Sequence, residues 1–204
     1  MNIYRLIFKI KRKLKNLFIY YLFQFPRVLK YKLLSDCKNV IGSPKYNQPT
    51  QLVGKGKITF GKNVNLGVKP SPFLYIGYGY IEARKESSKI FIGDNVWINN
   101  NFVIISEGKG VEIKENTLIG ANVEIIDSDF HDLHPNKRMG GVPKTAKVLI
   151  EKNVFIGNNV KILKGITIGR NSIIANGSVV TKSIPRNVIV GGNPAKVIRK
   201  IGFI

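Results

Sequence analysis

Residues 150–184 read IEKNVFIGNNVKILKGITIGRNSIIANGSVVTKSI. An aliphatic residue returns at every sixth position, as Ile150, Ile156, Ile162, Ile168, Ile174 and Val180. Four residues after each stands a small or branched one: Val154, Val160, Ile166, Ser172, Ser178 and Ile184. Gly157, Gly169 and Ala175 follow their aliphatic partners directly. The phase continues upstream as Ile92, Ile98 and Ile104 and as Ile113, Ile119 and Ile125, with traces at Phe60, Leu66 and Ile76-Gly77. A period of six matches neither the 3.6 of a helix nor the plain alternation of a strand. It suits short strands that turn a corner after each hexapeptide, with one aliphatic side chain per strand pointing to a central axis. Three such strands close a triangular coil of about eighteen residues, and stacked coils pair as parallel strands roughly 4.8 Å apart. The spacing predicts an all-β fold, a parallel β-helix.

A coil that only stacks has no reason to break phase, so the interruptions are where function is expected. One is short, Glu107-Gly108-Lys109-Gly110, between Ile104 and Ile113. The other is the excursion over 127–149, which begins Asp127-Ser128-Asp129-Phe130-His131-Asp132-Leu133-His134-Pro135. Asp127, Asp129 and His131 alternate, and in an extended chain they share a face.

Composition narrows the partners. With 204 residues and a hydrophobic share of 44%, the chain buries a core and is not disordered by composition. Lys and Arg number 33 against 12 acids, a formal charge of +21 that points to a polyanionic surface or ligand. The charge sits at the ends: residues 1–35 carry nine Lys/Arg and no acid, and Asn136 to Ile204 carry thirteen and one. The lone Cys37 makes no internal disulfide, and two histidines rule out a metal site of three histidines within one chain. Five potential ligands fall between Asp127 and His134, but no established spacing is matched and no metal is expected. No recognisable nucleic-acid motif appears and the aromatics are scattered, so no nucleic-acid partner is expected.

The basic start is amphipathic by spacing. Ile3, Leu6, Ile7, Ile10, Leu14, Leu17 and Phe18 recur in steps of one, three or four, with Arg5, Lys9, Lys11, Arg12, Lys13 and Lys15 between them. Pro26 is expected to end this helix, and a second short one is expected around Arg27 to Leu34. No small-residue cleavage site follows, and no apolar run reaches the roughly 18 residues of a spanning helix. Two readings stay open: a helix packed on its own domain or a neighbouring subunit, or peripheral contact of residues 1–25 with an anionic membrane. The organisation expected is a basic helical segment over 1–35, a β-helix over 36–190 and a basic tail over 191–204.

Ile156-Gly157-Asn158-Asn159-Val160, Gly165-Ile166-Thr167-Ile168-Gly169, Gly177-Ser178-Val179-Val180-Thr181-Lys182 and Gly192-Asn193-Pro194-Ala195-Lys196-Val197-Ile198-Arg199 closely resemble the hexapeptide-repeat acyltransferases. Within them the chain resembles the maltose and galactoside acetyltransferases and the O-acetyltransferases of bacterial surface polysaccharides, over roughly residues 58 to 200. The resemblance implies a left-handed β-helix, a homotrimer with sites between subunits, and acetyl-CoA as donor to a sugar or glycan acceptor. It places His131 as general base with Asp129 to orient it, and Asn99 and Glu107 on the acceptor. It places Asn158, Gly177, Thr181, Lys182, Lys196 and Arg199 along the coenzyme groove. Asn176, Ser183 and Lys196 depart from the usual family residues. The resemblance and the basic start together imply a cytoplasmic enzyme, stationed at the inner face of the membrane. An N-acetyltransferase of an amino-sugar nucleotide and, outside enzymes, an inactive β-helix scaffold stay open as alternatives.

Overall fold

A computed structural model describes residues 3–202; residues 1–2 of the basic segment and 203–204 of the tail lie outside the described residues. The body is a left-handed parallel β-helix. Its strands join three sheets in which neighbours along a sheet are three strands apart in sequence until the last two strands of the chain, the signature of a triangular coil.

Six coils stack. The first runs Asn39–Ile41, Lys45–Tyr46 and Thr50–Val53, and the second Lys57–Phe60, Asn65–Leu66 and Gly79–Ala83. The third holds Lys89–Ile92, Trp97–Ile98 and Val103–Ser106, the fourth Val111–Ile113, Leu118–Ile119 and Glu124–Ile126. The fifth is Val148–Ile150, Phe155–Ile156 and Lys161–Ile162, the sixth Thr167–Ile168, Ile173–Ile174 and Val179–Val180. In each coil these strands make the first, second and third faces. Val188–Gly191 adds to the second face, and Lys196–Lys200 pairs antiparallel to it, so the expected basic tail is largely an edge strand.

The register explains the period of six. Ile98 pairs with Ile119, Ile119 with Ile156 and Ile156 with Ile174, so one aliphatic column runs down each face into the axis. All twelve in-phase residues are buried. Apolar side chains stacked at sheet spacing exclude water along the whole axis, and each contributes roughly 1.5–3 kcal/mol of burial. Phe60 and Leu66 belong to this core, but Ile76 does not: it is 83% exposed in an excursion over 68–78, and Ile81 fills the axis in its place. That excursion and another over 84–88 add to the two interruptions read from the sequence.

Two of the three corners are built from asparagines in the left-handed region, which asparagine tolerates at low cost. Asn63, Asn95 and Asn116, then Asn153, Asn171 and Asn187, turn the first face into the second, with side-chain amides bonded from coil to coil at 2.8–3.1 Å. Asn101, Asn122 and Asn159 turn the second into the third. The third corner uses Gly54, Gly110 and Gly165 instead. With no asparagine ladder to hold it in register, this corner carries the excursions over 84–88, 107–110 and 127–147.

Before the body, α1 (Ile3–Ile19) passes through a π-turn, Tyr20–Gln24, into α2 (Phe25–Leu33). Pro26 does not end the helical path as expected. It stands in the first turn of α2, just after the π-turn, where its fixed φ suits a helix.

Candidate active site

The glycine corner gathers the polar residues that the sequence singled out. Asp127 is fully buried and is its hub. Its carboxylate accepts from Ser106 Oγ at 2.8 Å and from the backbone N–H groups of Glu107 at 2.7 Å, Gly108 at 3.3 Å and Gly110 at 2.7 Å. The short insertion thus wraps one carboxylate, whose negative charge is matched by four donors. The insertion in turn presents Glu107, also buried, which accepts from Ser128 Oγ and pairs with Lys85 Nζ at 3.3 Å.

The long excursion leaves the body through a narrow neck, with Ser128 bridged to Thr145 and Asp129 N donating to Lys144 O at 3.1 Å. Phe130 turns with φ 60°, which breaks the extended alternation read from Asp127 to His131. Asp127 points into the body, whereas His131 is exposed. Asp129 is therefore not the partner of the His131 ring. Its Oδ1 pairs with Lys164 Nζ at 3.3 Å, and its Oδ2 is buried with no hydrogen-bond partner. The ring instead sets Nδ1 3.1 Å from the carbonyl oxygen of Arg138. A carbonyl oxygen only accepts, so Nδ1 carries the proton, and in the neutral ring Nε2 keeps its lone pair.

Beside this loop, the Arg84 guanidinium lies 4.8 Å from the centre of the Phe130 ring and pairs with Glu82 at 2.7 Å. Hydrogen bonding to Glu82 raises the Arg84 pKa above its ordinary value. The same carboxylate accepts from Tyr80 Oη at 3.1 Å, and burial together with Glu82 pushes the Tyr80 hydroxyl up to about 12. Lys164, Ser128, Arg138 and Arg84 gave no signal in the sequence, since none lies at a repeat position: Lys164 and Ser128 act on residues of another coil, Arg138 closes a loop on itself, and Arg84 meets Phe130 only through the fold.

The remaining predicted residues fall on two corners and on the final strand. Thr181 and Lys182 end the third face of the last coil, at the glycine corner, and both are exposed. Asn99, Asn158 and Gly177 lie on the neighbouring corner, separated from it by the whole third face, roughly 20 Å of chain. There Asn158 has a structural role: its Oδ1 accepts from Ala121 N at 2.8 Å, and its own N–H reaches Asn176 Oδ1 at 2.8 Å. Asn176, a departure from the family pattern, repeats that arrangement one coil on. The left-handed corner residue near Asn99 is Asn101, and Asn99 accepts from Asn100 N at 2.7 Å. Lys196 and Arg199 are exposed on the final strand.

The Asp/His-rich loop is tied up by its own turns, with Asp132 Oδ1 accepting from His134 N and His134 Nδ1 from Asn136 N. Among the described residues no group of three His, Cys, Asp or Glu stands together as a metal site.

Residues 147–182 match the family described as bacterial transferase hexapeptide, six repeats. A protein of Escherichia coli provisionally named a lipopolysaccharide-biosynthesis O-acetyl transferase is 32% identical over 160 residues, 74% of this chain and 76% of that one. The chain belongs to the hexapeptide-repeat acyltransferases. A galactoside O-acetyltransferase of Escherichia coli is 40% identical over 130 residues, 64% of this chain and 59% of that relative. The chain thus spans about three fifths of the length of the first such relatives. Among solved structures, a hexapeptide-repeat acetyltransferase of Vibrio cholerae complexed with acetyl coenzyme A shares 29% identity over 70% of each chain, with a TM-score of 0.55.

Where the coenzyme groove is expected, the surface is open and carries unpaired cations. Gly177 has φ 72° with nothing within 4 Å of where a Cβ would stand, so the corner is open there. Lys182 and Lys196 are exposed and take part in no ion pair among the described residues.

Proposed function

We propose that this chain transfers an acetyl group from acetyl-CoA to a hydroxyl of a sugar or glycan, a precursor of a bacterial surface polysaccharide, with His131 as general base. The observation that carries this reading is the bond from His131 Nδ1 to the Arg138 carbonyl, which in the neutral tautomer gives Nε2 the free lone pair on an exposed ring. Acetyl-CoA, when bound, supplies an activated thioester. His131 Nε2 takes the hydroxyl proton as the acceptor oxygen joins the acetyl carbon, and returns it to the departing sulfur. A C–O bond replaces the C–S bond and the ring ends neutral. The Arg138 carbonyl holds the ring in the required tautomer and steadies the imidazolium.

Glu107, fixed by Ser128 and by the Asp127 hub, belongs to the acceptor side together with Asn99. Gly177, Thr181, Lys182, Lys196, Arg199 and the Asn158 corner form the coenzyme groove. Each set is divided between two corners of one chain, the whole third face apart, which favours sites shared between adjacent copies of a homotrimer. The outward ladder Trp97–Leu118–Phe155 on the second face, 43–49% exposed and in register, suits the contact between copies. No helix among the described residues is long and apolar enough to cross a membrane, and a cytoplasmic enzyme meeting its acceptor from the inner side is the reading that accords with an acetyl-CoA donor.

The test is release of CoA thiol on incubation with acetyl-CoA and a panel of galactosides and surface-glycan precursors. Acceptor-dependent release, with mass gain of one acetyl on the sugar, is expected. Release that needs no acceptor, or acetyl found only on amines, would overturn the O-acetyl reading.

A further inference from the structure

The first helix has two unlike sides. At 100° per residue, Leu6, Ile7, Ile10, Leu14, Leu17 and Phe18 fall within an arc of about 120°, and α1 buries none of its residues. The other side looks toward the body. Lys9, Arg12, Lys13 and Asn16 line a cavity of about 420 Å³ together with Lys69 of the excursion over 68–78. Lys45 lines an adjoining cavity that shares Lys69 and Tyr20 with it. None of these five cations has an ion pair among the described residues. The first acid in the sequence, Asp36, is spent on Gly54 N.

The base of this helix is fixed. Gln24 Nε2 donates to Asn47 O at 2.9 Å, Arg27 Nη1 to Leu74 O at 2.9 Å, and Tyr31 stacks on Tyr78 with ring centres 4.4 Å apart. A shaft of roughly 25 Å is therefore held out from the body with its apolar stripe uncovered.

We propose that α1 docks this protein on an anionic lipid bilayer. The apolar stripe lies in the headgroup–acyl boundary, and the cations between α1 and Lys69 hold lipid phosphates. A stripe flanked by Lys and Arg is the pattern of an interfacial helix, and α1 is too short and too charged to cross. Charge chooses the lipid over a second such helix: residues 1–35 carry nine Lys/Arg and no acid, so two of these segments side by side would bring cations together. This inference stands independently of the chemistry at His131.

Vesicle co-sedimentation of the full chain tests it. Binding is expected to vesicles of phosphatidylcholine with about a third phosphatidylglycerol, and not to phosphatidylcholine alone, because charge and insertion must act together. Ile10→Ser with Leu14→Ser keeps every charge and is expected to weaken binding more than tenfold, since two buried side chains are lost. Lys9→Ala, Arg12→Ala and Lys13→Ala together are expected to weaken it on the order of a hundredfold. Both variants should bind CoA as the parent does, which reports an intact body. Failure of the parent to bind anionic vesicles would overturn the proposal. So would undiminished binding by the stripe variant, which would mean adhesion by charge alone, or a change in its oligomeric mass, which would place the stripe between copies.

Discussion

His131 Nδ1 and the carbonyl oxygen of Arg138, seven residues apart, stand 3.1 Å from one another. The loop between them closes on itself so that a backbone group, not a carboxylate, fixes the ring. A side chain that keeps the donor and lacks the basic nitrogen separates the two roles. His131→Asn can still donate to Arg138 O, so its fold and CoA affinity should match the parent. Its acetyl transfer should fall by about 10²–10⁴, the usual worth of a positioned general base. Asp129→Asn should cost far less, because Asp129 faces Lys164 and not the ring. Steady-state kinetics on the same acceptor measure both.

Asp127 makes a different demand. Its removal strands three backbone N–H groups and the Ser106 hydroxyl in a buried place. Asp127→Ala should destabilise the chain by roughly 3–5 kcal/mol, read from denaturant unfolding. At temperatures where that variant is still folded, acetyl transfer should drop as well, because the insertion that presents Glu107 loses its anchor.

The sequence made the axis legible and the site only partly so, and the reason is physical. Ile156 and Ile174 meet the same requirement one coil apart, so the requirement repeats and its period can be read. Asp127 and Arg138 meet requirements that occur once, set by what a different coil or the far end of a loop brings near. The alternation Asp127-Ser128-Asp129-Phe130-His131 looked like a strand face, and the left-handed turn at Phe130 undoes it. The exposure of Ile76 has a similar origin: an excursion resets the phase, and only the fold shows that Ile81 takes the axial place. Pro26 reads as a stop, yet the helical path continues through it, because the π-turn before it leaves proline in the first turn of α2, where its fixed φ fits.

Alkaline stability offers a check on the Glu82 cluster. The Tyr80 hydroxyl is pushed up to about 12 by burial first and by Glu82 next, whereas an unfolded tyrosine titrates near its ordinary value of about 10. A pKa raised in the fold leaves stability whole below about pH 10 and removes it as the pH climbs toward 12, because the unfolded ring ionises first. Unfolding curves of the parent and of Tyr80→Phe should therefore converge over that interval, the parent losing the advantage of its bond to Glu82. Parallel curves would mean that Tyr80 ionises alike in both states.

Whether the chain takes acetyl-CoA is settled by calorimetric titration of acetyl-CoA into the purified protein, which needs no knowledge of the acceptor. Micromolar binding is expected, about tenfold weaker in Lys182→Ala through the loss of one charge-assisted phosphate contact, and unchanged in His131→Asn. Absence of binding at millimolar acetyl-CoA would contradict it and leave a β-helix that keeps the family's fold without its chemistry.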